Sequence, residues 1–157
     1  MAYVLQPLLR IRQMREDRAT GELSVARRER AAAEAALEER RKDLAHYEET
    51  KEERRDRIYD AIMGRPVDRD QIDLAAEGVA RIDEEGVLKA DNVKRAEADV
   101  KTCMDREGAA RQMLNLATKE RMKIDEHRAV WLAEEAAEQE AKAEGELEDF
   151  TVRKQEI

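Results

Sequence analysis

Apolar residues recur with a seven-residue period along most of this sequence, and that period constrains the fold more than any other feature. With Leu23 as an a position, ten of the sixteen a and d positions from Leu9 to Ala61 are apolar. With Ile72 as an a position, eight of the nine d positions up to Trp131 are apolar. A 3.5-residue spacing keeps one stripe of a helix against a partner helix. The sequence therefore predicts two long helices that meet along a coiled-coil seam.

One short segment separates the two patterns. Gly64 can adopt the left-handed conformation that ends a helix, and Pro66 prevents the helix from continuing. Asp68 or Asp70 can then accept hydrogen bonds from the free N–H groups of the next helix. The seam could close within one chain or between two, and this break favours closure within one chain. The predicted fold is all-α, with two long antiparallel helices forming an intramolecular coiled-coil hairpin.

We expect a single elongated coiled-coil domain over residues 1–157. Its first arm spans about 7–63, its turn about 64–69, and its second arm about 70–150. With a turn near Val67, facing residues have numbers that sum to about 134. Beyond Trp131 the second arm then has no partner and ends as an acidic overhang that frays towards Ile157.

Composition agrees with a hairpin and excludes several classes of protein. Charged residues make up 43% of the chain and aromatics 3%, which leaves too few bulky side chains for a compact core. The net charge of −8 does not suit general nucleic-acid binding, which needs a continuous basic surface. No apolar run approaches the ~20 residues that a membrane span needs, and the N-terminus lacks signal-peptide features. With one cysteine, these features predict a cytoplasmic protein without direct membrane insertion.

No combination of residues predicts catalysis. His46 and His127 would lie far apart on helix surfaces, outside any metal-ligand spacing. Cys103 falls at a d position, where a small side chain fits the seam, and nothing nearby would activate its thiol. We therefore expect no enzyme activity, no cofactor and no metal.

Arginines near the N-terminus form the first candidate contact site. They either solubilise the helix or form a basic collar that meets carboxylates of a partner. The collar consists of Arg10, Arg12, Arg15 and Arg18.

Tyrosines form the second candidate. Tyr47 and Tyr59 are two of only five aromatic residues, and tyrosine is enriched at interface hot spots. Tyr47 also fits the seam, so both interpretations stay open. Tyr3 and Trp131 are more simply explained by packing that ties the two ends of the chain together.

The N- and C-terminal sequences resemble those of one family. The opening run is Tyr3-Val4-Leu5-Gln6-Pro7-Leu8-Leu9-Arg10-Ile11-Arg12, followed by Arg15-x-Asp17-Arg18-Ala19. The tail has Trp131-Leu132-Ala133-Glu134-Glu135 before an acidic, alanine-rich helix. Both ends resemble the YscO-like stalk proteins of type III secretion, chlamydial members above all. The family positions that this sequence matches are Tyr3, Leu5, Pro7, Leu9, Ile11, Arg15, Asp17, Arg18 and Trp131.

The resemblance implies a function that periodicity cannot show. Members of this family, like the related flagellar protein FliJ, are antiparallel coiled coils similar to the shaft of rotary ATPases. The resemblance implies binding and stimulation of the hexameric secretion ATPase by the terminal end, for which the arginine collar is our candidate. It also implies coupling to the export-gate membrane protein, and Tyr47 and Tyr59 are our candidates for that contact. Export chaperones are a further class of partner that the resemblance implies. We expect a chain that is monomeric when isolated and peripheral at the cytoplasmic face of the secretion apparatus.

Two other interpretations compete with this one. A generic scaffolding coiled coil would share the periodicity but would have no ATPase partner. A prefoldin-type chaperone would need β-hairpins between its helices, and the segment around Pro66 is too short to supply them.

Overall fold

The computed structural model describes residues 2–155 as two long helices joined by one turn. Helix α1 spans Gln6–Asp60 and helix α2 spans Arg69–Gln155. The helices pack against each other, which confirms the predicted all-α hairpin. The predicted fraying at Ile157 lies outside the described residues.

Helix α1 ends three residues before the predicted end of the first arm. The Tyr59 carbonyl accepts hydrogen bonds from the N–H groups of Ile62 (3.0 Å) and Met63 (2.9 Å), which tightens the chain after Asp60. Gly64 follows with a φ of 73°, in the left-handed region that glycine enters without steric cost.

Helix α2 begins with a reciprocal cap. The Asp68 carboxylate accepts a 2.8 Å hydrogen bond from the Gln71 N–H, while the Gln71 side-chain oxygen accepts one of 3.0 Å from the Asp68 N–H. This capping box satisfies two backbone donors at the helix start. It places the start of α2 at Arg69, one residue earlier than predicted, and the helix continues to Gln155 rather than ending near 150.

The predicted heptad positions match the observed core of the described chain. Apart from Tyr3, which precedes α1, every buried side chain falls at a predicted a or d position. On α1 these are Leu9, Ala19, Leu23, Ala26, Leu37 and Tyr47, and on α2 they are Ala75, Ile82, Ala96 and Glu107. Ile72 is the clearest exception, since it begins the predicted second-arm repeat yet is half-exposed beside the turn.

The described chain divides into two compact units, and α1 and α2 contribute to both. The first unit combines the residues up to Leu23 with those from Ala110 onward, and the second comprises Ser24–Ala109. Within each unit, residues with higher sequence numbers on α1 contact residues with lower sequence numbers on α2, as antiparallel helices require. Whether the chain forms one domain stays a prediction.

Candidate partner-binding surfaces

The seam of the first unit contains charged as well as apolar contacts. Arg12, at a d position, pairs with Glu120 of α2. Glu16 accepts a 3.0 Å hydrogen bond from Thr118 and also pairs with Arg121. The pKa of Arg121 is raised, chiefly because it donates to Glu16. Arg12, Glu16 and Arg121 therefore each have a charged partner on the opposite helix.

A buried carboxylate lies in the seam of the second unit. Glu107 is only 6% exposed, at an a position where an apolar residue would be expected. Arg30 donates to it across the seam at 3.2 Å, and Arg27 lies 3.9 Å away. The pKa of Arg30 is raised by its hydrogen bonds to Glu34 and Glu107. Together these groups form a charged layer between apolar ones.

A second charged layer lies closer to the turn. Arg54 donates to Glu85 at 2.7 Å, and Arg55 pairs with Asp83. The hydrogen bond raises the pKa of Arg54 and lowers that of Glu85. Each pair joins α1 to α2 within the second unit.

Tyr47 lies inside the seam. Its side chain is 5% exposed, and its hydroxyl donates a 2.8 Å hydrogen bond to the Ile82 carbonyl. A Cβ at Gly86 would lie 2.6 Å from two carbons of the Tyr47 ring. Glycine at this a position therefore leaves the space that the tyrosine occupies. In the sequence, the signal for this packing is a glycine at an a position opposite an aromatic residue at a d position.

The four arginines of the predicted collar do not share one environment. Arg10, Arg15 and Arg18 are exposed, whereas Arg12 is half-buried and paired with Glu120. Arg18 also donates to Glu22 of its own helix at 3.1 Å. Three arginines therefore face outward on α1, and one is part of the seam.

A shallow groove lies beside the outward arginines in the first unit. Its volume is about 490 Å³. Arg15 and Arg18 border it on α1, while Met113 and Leu116 of α2 form part of its wall and are more than half exposed. This surface offers apolar contact beside two guanidinium groups.

The second unit has an apolar groove at the turn. It has a volume of about 420 Å³ and is lined mainly by aliphatic side chains, with Arg57 and Arg65 among its lining residues. Tyr59 is 47% exposed, so of the two tyrosines proposed for a partner only this one is accessible in the hairpin. The exposed apolar residues near the turn are Tyr59, Met63, Ile72 and Leu74.

Aromatic packing connects the start of the chain to α2. The ring centroids of Tyr3 and Trp131 are 5.4 Å apart, close to the predicted register. Tyr3 also hydrogen-bonds through its hydroxyl to His127 Nδ1 at 2.7 Å. His127 was expected to be only a solvated surface residue, and the structure instead gives it this contact.

The remaining family positions have differing exposures. Leu9 is fully buried, Leu5 is half-buried, and Pro7 and Ile11 are exposed. Pro7 lies in the first turn of α1, where a missing N–H removes no helical hydrogen bond.

Cys103, His46 and His127 are the residues considered for chemistry. Cys103 is half-buried with a free thiol, and His46 is exposed. Within residues 2–155 no three His, Cys, Asp or Glu side chains are grouped to hold a metal ion. No helix in the same range combines the length and apolarity required to cross a membrane.

The fold and its surfaces define a class of protein in which two packed helices present charged and apolar contact areas. Residues 5–153 match the family model described as type III secretion protein YscO. The chain belongs to this YscO family, a family of structural components of type III secretion, as its terminal sequences indicated.

A solved structure supports the fold independently. A protein of Chlamydia trachomatis, CT670, described as a candidate YscO homolog, superposes with a TM-score of 0.71 at 21% identity. The match covers 98% of this chain and 93% of the chlamydial chain. No curated protein matches the sequence.

Proposed function

We propose that this protein is the non-enzymatic central stalk of a type III secretion system. It binds and stimulates the hexameric secretion ATPase, couples it to the export gate at the cytoplasmic face of the membrane, and escorts export chaperones. Family membership across residues 5–153 is the observation that carries the proposal. The two contact surfaces described above are its candidate sites.

Outward-facing arginines supply the ATPase contact. Arg10, Arg15 and Arg18 are exposed on one segment of α1. Arg15 and Arg18 border the groove that contains Met113 and Leu116. Guanidinium groups form charge-assisted hydrogen bonds with carboxylates, and several such weak contacts allow binding without locking one orientation. Arg12 instead supports the hairpin through Glu120, so it acts on the ATPase only through the fold.

The rod stimulates the ATPase by favouring particular subunit conformations. A ligand shifts such an equilibrium only when it binds the alternative conformations with different affinities. A two-helix stalk meets the subunits of a sixfold ring with different faces, so it supplies that difference.

The gate contact lies near the turn. Tyr59, Met63, Ile72 and Leu74 are exposed apolar residues next to the aliphatic groove. Tyr59 takes the aromatic role proposed for both tyrosines, because the Tyr47 ring is enclosed in the seam.

ATP hydrolysis by the purified secretion ATPase tests the proposal. Wild-type protein should stimulate turnover, and replacing Arg10, Arg15 and Arg18 together by Ala should remove most of that stimulation. A triple replacement of the exposed Arg28, Arg40 and Lys42 by Ala removes the same charge elsewhere on α1 and should stimulate normally. Stimulation that is equal for both triple variants would reject the arginine contact, and no stimulation by wild type would reject the stalk function in favour of a scaffold.

A further inference from the structure

The α2 helix changes character after Trp131, in the segment we call the C-terminal segment (residues 132–150). The seam positions of the heptad continue as Glu135, Glu138, Lys142, Gly145 and Asp149. These residues cannot extend the apolar stripe that packs against α1. The coiled-coil seam therefore ends near Trp131, although the helix continues.

A new apolar stripe begins where the seam ends. At 3.6 residues per turn, its members lie within about 60° of one another around the helix. They are displaced by roughly 90° from the preceding seam residues. The stripe consists of Leu132, Ala136, Ala143, Leu147 and Phe150, all of them exposed. A stripe in this position does not face the direction of the intramolecular seam, so packing against α1 does not explain it.

The size of the side chains is also informative. Phe150 is the one phenylalanine of the chain, and its side chain is 68% exposed. Leu147, one turn away on the stripe, is 66% exposed. Large apolar side chains at helical spacing are how an amphipathic helix docks in a groove of a partner.

Charge restricts the partner. Residues 132–150 contain eight acids and one lysine, and Glu140 and Glu146 lie on the two sides of the stripe. Two such segments from two copies would repel each other, and an anionic membrane surface would repel them as well. A protein groove with an apolar floor and lysines or arginines at its rim has the complementary charge.

We infer that the C-terminal segment is an amphipathic ligand helix that docks in a basic-rimmed apolar groove of the secretion ATPase. The inference rests on the proposed function for the partner and adds a second contact, of opposite charge to the arginines of α1. Leu147 and Phe150 insert into the groove floor, and Glu140 and Glu146 pair with its rim.

Binding of the full-length protein to the purified hexameric ATPase, measured by surface plasmon resonance, tests the inference. Leu147→Ala and Phe150→Ala should each weaken binding by about tenfold, the effect of losing an interface anchor. Val152→Ala is the matched control, because Val152 is 57% exposed in the same helix but lies opposite the stripe. It should bind within about twofold of wild type. Circular dichroism should show equal helix content in all variants, since alanine favours helix.

Charge reversal supplies a second readout. Glu140→Lys with Glu146→Lys should weaken binding and reduce its sensitivity to salt, because exposed charges are screened by ions. Wild-type affinity in both stripe variants would overturn the inference while leaving the stalk function intact. Absence of wild-type binding would overturn both. Dimerisation of wild type that Phe150→Ala abolishes, seen by sedimentation velocity, would assign the stripe to a second copy and also overturn the inference.

Discussion

The Tyr47 ring occupies the space that a side chain at Gly86 would need. The Tyr47 hydroxyl reaches past this glycine to the Ile82 carbonyl, one turn earlier on α2, with a hydrogen bond of 2.8 Å. A large side chain on α1 thus lies against a residue without a side chain on α2. Because the two must stay opposite each other, the pair fixes the register of the hairpin in the second unit.

Gly86→Ala should therefore destabilise the protein, although alanine favours helix by about 1 kcal/mol over glycine. The new Cβ would lie 2.6 Å from two ring carbons of Tyr47, so the ring or the helix must shift. Overpacking of this kind costs about 1–3 kcal/mol. Gly108→Ala on the same helix has nothing within 4 Å of its new Cβ and should stabilise by up to about 1 kcal/mol. Urea denaturation measures both changes, and stabilisation by both would contradict the packing described for Tyr47.

Tyr47 and Tyr59 should respond differently to truncation. Tyr47→Ala removes a buried ring and a hydrogen bond, and should lower the free energy of unfolding by roughly 3 kcal/mol. Tyr59→Ala changes a side chain that is about half exposed, so its effect on stability should stay within about 0.5 kcal/mol. Thermal and urea denaturation of the two variants checks the difference. Equal losses of stability would be inconsistent with one buried and one accessible tyrosine.

The free energy of unfolding should fall more when only Arg30 of the Arg30–Glu107 pair is replaced than when both residues are replaced. Arg30→Leu leaves the buried carboxylate with weaker compensation and should lower the free energy of unfolding. Combining Arg30→Leu with Glu107→Leu replaces the layer by apolar packing, which is often neutral or stabilising. A double-mutant cycle of unfolding free energies measures the coupling. A double variant that is less stable than Arg30→Leu alone would show that the charged layer is favoured over apolar packing.

Acid should weaken the layer formed by Arg54 and Glu85. The pKa of Glu85 is lowered in the fold because Arg54 donates to its carboxylate. The stability that this pair contributes is therefore present above the unfolded glutamate pKa of about 4.3, and is lost as pH falls through the lower folded value. Between neutral pH and about pH 3, wild type should lose more unfolding free energy than Glu85→Gln.

Arg54→Gln provides the reciprocal test of this layer, since it removes the donor that lowers the Glu85 pKa. It should reduce the pH dependence of stability by a similar amount. Parallel pH profiles for wild type and both variants would mean that the pair does not contribute to stability.

Much of the seam could be predicted from sequence because its signal is repeated. Leu9, Leu23 and Ile82 are apolar residues at a regular spacing, and each was placed correctly by the heptad. The same repetition made the hairpin predictable, because Gly64 and Pro66 interrupt it once.

Other features depend on which residues meet across the seam, which a single helical pattern does not specify. Glu107 and Arg30 are charged residues at positions where the repeat favours apolar ones, and only their contact shows that they form one charged layer. Gly86 likewise became informative only opposite Tyr47. Arg12 could not be separated from its exposed neighbours Arg10 and Arg15 without knowing the position of Glu120.

The distance between α1 and α2 within one chain tests the central claim most directly. Cysteine spin labels at the exposed positions Arg10 and Lys123, with Cys103→Ala, allow this distance to be measured by double electron–electron resonance. A hairpin with axes about 10 Å apart predicts a label separation below about 35 Å that persists when labelled chains are diluted with unlabelled ones. Loss of the short distance on dilution would show that one chain does not form the hairpin. A separation near the ~170 Å expected for one continuous helix that does not fold back would show the same.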